Sequence, residues 1–130
     1  MNGMDVEMLV KTVMACAVNI RKHLGPGYLE SVYKNAMLVE LEKNGFAYEV
    51  EKPINVYYEN VLVGEFKADV VVEGSLILEL KAVNSLHVAH ELQLVNYLTA
   101  TGIDNGLLIN FGSEELQFKR KFRVYRKRFC

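Results

Sequence analysis

Several features that mark particular protein classes are scarce in this sequence of 130 residues. It has two cysteines, Cys16 and Cys130, and neither belongs to a C-x-x-C pair, so we expect free thiols in a reducing cytoplasm. No apolar run approaches the roughly 18–20 residues of a membrane span. The first residues include the acids Asp5 and Glu7, which argues against a signal peptide. The sequence therefore predicts a soluble, cytoplasmic protein with no membrane partner.

Sequence signatures of several enzyme classes are also missing. There is no glycine-rich loop of the Walker or dinucleotide-binding type, and no serine–histidine–acid or cysteine–histidine arrangement stands out. His87 and His90 have the spacing of a zinc-binding pair, but no third ligand with suitable spacing accompanies them. No internal repeat is visible, and the length together with a 51% hydrophobic content predicts one domain over residues 1–130.

The charge is distributed unevenly along the chain. Residues 1–118 carry 8 basic and 16 acidic residues, whereas residues 119–130 carry 7 basic residues and no acids. The basic residues of this C-terminal strand and tail are Lys119, Arg120, Lys121, Arg123, Arg126, Lys127 and Arg128. Such a block is typical of a surface that binds nucleic-acid phosphates, but charge also protects a solvated edge strand against aggregation. Both interpretations stay open for this segment alone.

Hydrophobic periodicity predicts three helices and five strands. The helices are expected at 5–24, 28–44 and 86–101, and the strands at 47–58, 61–73, 75–83, 107–111 and 116–125. The order α-α-β-β-β-α-β-β indicates an α/β (α+β) fold in which helices flank a mixed central sheet. Pro53 favours an edge position or a bulge for the first strand. In the last strand, Phe118 and Phe122 are expected to face the core, opposite Lys119 and Lys121.

Three ionisable residues interrupt the predicted central strands. Glu79 and Lys81 alternate with leucines, so their side chains point the same way, and Asp69 on the neighbouring strand can reach the same place. A solvated strand face is the simpler alternative, but the flanking run 76–80 is otherwise apolar and predicts a strand covered on both sides. Two buried carboxylates beside a lysine are suited to binding a hard divalent cation and activating water.

Two further pairs are weaker signals. Gln93 and Tyr97 are four residues apart on a predicted helix, so they share a face and are able to brace Lys81 or hold a phosphate. Packing of Tyr97 alone would explain the same spacing. Glu30 begins the second helix, where an acid is also a routine partner of the helix dipole. His90 lies one turn before Gln93 and is expected to line the same cleft.

Taken together, these residues resemble the GxxExxY proteins, a compact branch of the PD-(D/E)XK nuclease superfamily. The resemblance covers about residues 5–125 and is carried by Gly27-x-x-Glu30-x-x-Tyr33, Asp69, Glu79-Leu80-Lys81-Ala82, His90-x-x-Gln93-x-x-x-Tyr97-Leu98 and Gly106-Leu107-Leu108-Ile109-Asn110-Phe111-Gly112. It implies a restriction-endonuclease-like core of order α-β-β-β-α-β. The Gln93 and Tyr97 pair resembles the Q-x-x-x-Y motif of the RecB-like exonuclease branch. One departure is Ala68, which stands where the superfamily often has proline.

The resemblance implies a magnesium-dependent nuclease that hydrolyses phosphodiester bonds, with DNA the favoured substrate and Mn²⁺ a possible substitute for Mg²⁺. It assigns metal binding to Asp69, Glu79 and Glu30, and catalytic support to Lys81, Gln93 and Tyr97. The basic residues Lys119, Lys121, Arg123, Arg126, Lys127 and Arg128 are expected to hold the nucleic-acid backbone. A non-catalytic module that keeps the fold and binds nucleic acid or protein is the alternative, and a homodimer is plausible.

Overall fold

The computed structural model describes residues 5–124. The helices are α1 (Val6–Leu24), α2 (Glu30–Lys43) and α3 (Val88–Thr101), and the strands are β1 (Tyr48–Tyr58), β2 (Val61–Val72), β3 (Leu76–Lys81), β4 (Asn105–Asn110) and β5 (Gln117–Phe122). Over these residues the fold is α+β, with a mixed five-stranded sheet and three helices in the order that the sequence predicts. None of the helices within the described range is both long and apolar enough to cross a bilayer.

The sheet has the strand order β1-β2-β3-β4-β5. Neighbouring strands are antiparallel except for β3 and β4, which are parallel and are joined by α3. β3 is therefore the central strand, as predicted. Pro53 lies on the edge strand β1, also as predicted, because an edge strand tolerates a residue that has no amide hydrogen to donate.

The helices cover opposite faces of the sheet. Side chains of α1 and α2 form one core cluster with Leu76, Leu78 and Leu80, whereas α3 packs on the other face against Ile77. Alternation along β3 therefore assigns Glu79 and Lys81 to the α3 side of the sheet. The sheet thus presents the ionisable end of its central strand near the start of α3.

The prediction for Phe122 was wrong. Phe118 packs against the α1–α2 cluster as expected, but Phe122 is 59% exposed at the last position of β5. The Arg120 guanidinium lies 4.8 Å from the centre of the Phe122 ring, and Glu7 on α1 accepts two hydrogen bonds from that guanidinium. Alternation fixed which side of β5 Phe122 occupies, but at this end of the strand the ring lies beside a guanidinium that is paired with α1, and it stays exposed.

Candidate active site

Strands β2 and β3 separate at Asp69 and Glu79, and the two side chains bridge the gap. Regular pairing between these strands runs from Val72 opposite Leu76 to Val70 opposite Leu78. At the next position, Glu79 Oε2 accepts a hydrogen bond from the Asp69 amide at 2.8 Å. Asp69 Oδ2 in turn accepts one from the Leu80 amide, also at 2.8 Å. Each carboxylate is therefore fixed by the main chain of the opposite strand.

The regular alternation of β2 breaks at Asp69. Ala68 packs on the α3 side of the sheet and Val70 packs on the α1–α2 side, although residues two positions apart on a strand normally share a face. On β1, Glu51 lies between the paired residues that flank Asp69, and it has a φ of 51°, a region that a residue with a side chain rarely adopts. This irregularity turns the Asp69 side chain into the gap between the strands.

Burial makes both carboxylates reluctant to ionise. Glu79 is only 4% exposed, and burial raises its pKa to about 8, an effect that the charge of Asp69 reinforces and the Asp69 amide and Lys81 oppose. Burial also raises the pKa of Asp69, against the lowering effect of the Leu80 amide and of Lys34 and Lys81. A bound cation would favour the ionised forms of Asp69 and Glu79. The electrostatics of the site therefore suit a cation.

Lys81 and Glu30 complete the charged cluster. The positive charge of Lys81 lowers the pKa of Asp69, Glu79 and Glu30, so its ammonium group lies within electrostatic reach of all three. Glu30 is the first residue of α2, and its pKa is raised by burial and, more weakly, by Asp69. The structure therefore brings Glu30 into the neighbourhood of the strand carboxylates.

The start of α2 is held in place by Tyr33. This side chain is fully buried, its hydroxyl donates to the Gly25 carbonyl at 2.6 Å, and its ring stacks on Phe111 with centroids 4.7 Å apart. Gly27, between the two helices, has a φ of 113°, which favours glycine. Gly27 and Tyr33 therefore fix the loop between α1 and α2, and this loop positions Glu30 at the start of α2.

Gln93 and Tyr97 form a hydrogen-bonded pair on α3. Gln93 Nε2 donates to the Tyr97 hydroxyl at 2.9 Å, as their helical spacing predicts. The pKa of Tyr97 is raised by burial and by the negative charges of Glu79 and Asp69. Tyr97 thus lies near the carboxylates, and because its oxygen accepts from Gln93, its proton is oriented for donation elsewhere.

His90 also lies near the cluster, but its ring has a structural role. Its Nδ1 accepts a hydrogen bond from the His87 amide at 3.2 Å, which caps the start of α3. The pKa of His90 is lowered by burial and then by the positive charge of Lys81. The histidine pair therefore helps to fix the start of the helix that carries Gln93 and Tyr97.

The arrangement of acids determines what kind of ion the site suits. Within residues 5–124, no three histidine, cysteine, aspartate or glutamate side chains converge closely enough to hold a metal ion. Asp69 and Glu79 are the two carboxylates held in the gap between β2 and β3, and Glu30 is within electrostatic reach of Asp69. Mg²⁺ commonly takes one or two protein carboxylates and keeps several waters, so this pair of oxygen ligands fits it.

Two residues near the site had not been predicted from the sequence. Lys34 lies one turn after Glu30 on α2, and its charge lowers the pKa of both Glu30 and Asp69. Its Nζ is 3.7 Å from Glu51 Oε2. The four-residue spacing from Glu30 is a signal that would have found Lys34. The role of Glu51 depends on the backbone geometry of β1, which the sequence does not signal.

The basic strand β5 is partly neutralised by acids of the same chain. Lys121 Nζ lies 2.6 Å from Glu91 Oε1 on α3, and Arg123 Nε lies 2.9 Å from Asp104 Oδ1. Lys119 is exposed. Arg126, Lys127 and Arg128 of the predicted nucleic-acid surface lie outside the described residues, as does Cys130.

Comparisons with known proteins add a family and a fold. Residues 7–122 match the family model of the PD-(D/E)XK nuclease superfamily. Among solved structures, the chain is similar to the crystal structure of SSO0001, with 16% identity and a TM-score of 0.60 over 75% of this chain and 52% of that one. This chain thus spans about half the length of SSO0001, and the likeness is one of fold. No curated protein matches the sequence.

Proposed function

Because this chain belongs to the PD-(D/E)XK nuclease superfamily, we propose that it is a divalent-metal-dependent nuclease that hydrolyses phosphodiester bonds, with DNA as its substrate. The observation that carries the proposal is the reciprocal fixing of Asp69 and Glu79 beside Lys81 at the end of a buried strand. The spacing of Gly27, Glu30 and Tyr33 supports assignment to the GxxExxY branch. We further expect a single cytoplasmic domain over residues 1–130.

Asp69 and Glu79 would hold the ion, which we expect to be Mg²⁺, with Mn²⁺ as a substitute. Each uses one oxygen, Oδ2 or Oε2, to accept an amide hydrogen bond from the opposite strand. Those bonds orient the carboxylates and leave Oδ1 of Asp69 and Oε1 of Glu79 for coordination. When bound, such an ion lowers the pKa of a coordinated water and offsets negative charge on the phosphate.

Lys81 supplies a compact positive charge beside Glu79. Its ammonium group is able to hold the attacking water through its oxygen and to stabilise negative charge on a phosphate oxygen. Glu30, whose pKa is raised by burial, stands where it is able to orient a water by accepting its proton in a hydrogen bond. The roles of Lys81 and Glu30 are inferred from their positions near the carboxylates. Neither residue packs in the apolar core.

Gln93 and Tyr97 act together on the α3 side. The hydrogen bond from Gln93 fixes the rotation of the tyrosine hydroxyl, so that its proton points away from the helix partner. We expect this hydroxyl to donate to a non-bridging oxygen of the scissile phosphate. The basic residues of β5 and the C-terminal tail would contact the backbone farther along the strand, after competing with the acids that pair with Lys121 and Arg123.

The test is a cleavage assay with a matched pair of carboxylate variants. Wild type is incubated with single-stranded DNA, duplex DNA and RNA, each with Mg²⁺, with Mn²⁺ and with EDTA. Glu79→Gln keeps an oxygen for the Asp69 amide but removes the charge, and it should abolish cleavage. Glu65→Gln, an exposed position on β2, should cleave like wild type. Equal cleavage by the wild type and Glu79→Gln, or no cleavage by the wild type in any metal, would refute the nuclease proposal.

A binding module is the outcome to distinguish from catalysis. If the wild type binds nucleic acid in a salt-dependent manner but never cleaves it, the fold serves binding alone. A wild-type protein that binds neither DNA nor RNA would favour a role in protein interaction. Sedimentation of the same preparations tests whether the chain forms a homodimer.

A further inference from the structure

A groove of about 750 Å³ lies between the β1–β2 hairpin and α3. It is lined by Asn55, Val56, Tyr57 and Phe66 on the hairpin and by Ala89, Leu92, Gln93, Asn96, Tyr97, Thr99 and Ala100 on the helix. Sites that bind small molecules and cofactors commonly enclose about 300–1,000 Å³. The groove is therefore large enough for aromatic rings of a ligand to enter it.

The lining combines aromatic faces with neutral hydrogen-bonding groups. Phe66 and Tyr97 have ring centroids 5.9 Å apart and are tilted at 45°, so they form one continuous aromatic surface, and Tyr57 is 61% exposed on the hairpin wall. Asn55 and Asn96 add amides, which both donate and accept hydrogen bonds. Among the described residues that line the groove, none is charged. Such a surface suits a flat ring with polar edges.

The groove adjoins the candidate active site. Gln93 and Tyr97 are among its lining residues, and Tyr97 packs in one core cluster with Ala68, the residue before Asp69. The charges of Glu79 and Asp69 are felt at the Tyr97 hydroxyl, where they help to raise its pKa. One polymer strand could therefore place a phosphate at the carboxylates and the neighbouring ring system in the groove.

We propose that this groove binds unpaired nucleobases of the substrate strand, so that the substrate is single-stranded next to the scissile phosphate. The inference rests on the proposed nuclease function and extends it to the substrate class. Aromatic side chains stack on bases of any sequence, and amides reach the exposed base edges. In a duplex these faces and edges are already stacked and paired, and a base must be extruded before it enters a pocket.

The test compares two adjacent tyrosines of β1. Tyr57 and Tyr58 are 61% and 68% exposed, so both tolerate truncation, but only Tyr57 lines the groove. Binding of a labelled single-stranded oligonucleotide is measured by fluorescence anisotropy in EDTA, where cleavage does not interfere. Tyr57→Ala should bind about tenfold more weakly, in the range expected for the loss of one stacked base. Tyr58→Ala should bind like wild type, and equal affinities for the two variants would overturn the inference.

Two further ligands separate bases from backbone. An abasic strand of the same length keeps every phosphate but offers no ring to the groove, and a duplex offers rings that are already paired. The wild type should bind both of these ligands more weakly than the normal single strand. Tyr57→Ala should bind the abasic strand with the same affinity as the wild type. Asn96→Ala, on the opposite wall, should weaken binding to the normal strand only. Equal wild-type affinity for normal and abasic strands would contradict base binding.

The results distinguish failure of this inference from failure of the nuclease proposal. If the wild type cleaves DNA but Tyr57→Ala and Tyr58→Ala bind alike, the groove inference fails and the nuclease proposal stands. If Tyr57→Ala weakens binding of a strand that the wild type never cleaves, the groove binds bases, but the nuclease proposal fails and the assignment of a substrate falls with it. A wild-type dimer that Tyr57→Ala converts to a monomer without loss of nucleic-acid affinity would identify the groove as a dimer interface and overturn the inference.

Discussion

Asp69 and Glu79 each complete the hydrogen bonding of the other's strand. The Asp69 amide donates to Glu79, and the Leu80 amide donates to Asp69, where the regular ladder between β2 and β3 has ended. The same carboxylates that suit a cation therefore also hold the sheet together. Replacing either by alanine would leave a partly buried amide without its acceptor, so isosteric amides are the more informative substitutions.

Glu79→Gln should make the metal-free protein more stable at pH 8. The pKa of Glu79 is about 8 in the folded state and near 4.5 when unfolded, so the folded state holds its proton more tightly. The stabilising effect is complete below pH 4.5 and is lost as the pH rises through 8. Glutamine avoids that loss and should be a few kcal/mol more stable than the wild type at pH 8, below a ceiling of about 5 kcal/mol, because the shift spans about 3.5 pKa units at about 1.4 kcal/mol each.

Urea denaturation in EDTA at pH 5, 6.5 and 8 measures this effect. The difference between Glu79→Gln and the wild type should grow steadily with pH, whereas Glu65→Gln should track the wild type. A difference that does not change between pH 5 and pH 8 would show that Glu79 titrates normally in the fold.

Divalent cations should stabilise the wild type more than Glu79→Gln. At pH 8, Mn²⁺ or Mg²⁺ should raise the melting temperature of the wild type, since a ligand at 100 times its Kd adds about 2.7 kcal/mol. The increase should be smaller at pH 6, because protons compete with the ion for Glu79. Thermal unfolding with and without EDTA measures it, and Glu79→Gln should show little response. Equal stabilisation of the two proteins would place the ion elsewhere.

Local periodicity predicts those parts of the site that depend on regular geometry. Strand alternation puts Glu79 and Lys81 on one side of β3, and helical spacing pairs Gln93 with Tyr97. Periodicity does not predict that the Asp69 side chain turns into the gap between the strands. That orientation depends on a break in the alternation of β2, opposite the positive φ of Glu51 on β1. No local sequence pattern specifies that backbone, which pairing across the sheet imposes.

The exposure of Phe122 has a similar origin. Alternation along β5 assigns this ring to the same side as Phe118, but burial depends on whether another element covers that position. At this end of β5 the neighbouring contact is between Arg120 and Glu7, which are 113 residues apart in sequence. Long-range pairings of this kind are not visible in a local window.

Lys34→Gln should shift the pH dependence of activity without unfolding the protein. The charge of Lys34 lowers the pKa of Asp69, so its removal should raise that pKa and move the acidic limb of the kcat/KM profile to higher pH. The lost ion pair with Glu51 should reduce stability by no more than about 1 kcal/mol. The pH profile of cleavage is the measurement.

The same helix offers the control for this prediction. Lys43 pairs with Glu40 at 3.4 Å, also on α2 but away from the carboxylates, so Lys43→Gln removes a comparable ion pair. Its pH profile should coincide with that of the wild type. Profiles shifted equally by both substitutions would point to a general change in charge and not to a specific effect on Asp69.

Tyr33→Phe should weaken both the fold and the site through one hydroxyl group. The variant keeps the ring that stacks on Phe111 but loses the hydrogen bond to the Gly25 carbonyl, at an expected loss of about 1–2 kcal/mol in unfolding free energy. Because that bond fixes the loop before Glu30, cleavage should fall by more than stability alone explains, measured on protein that circular dichroism shows to be folded. Tyr48→Phe removes an exposed hydroxyl bonded to Glu42 and should leave activity unchanged. If both variants cleave alike, the loop does not position Glu30.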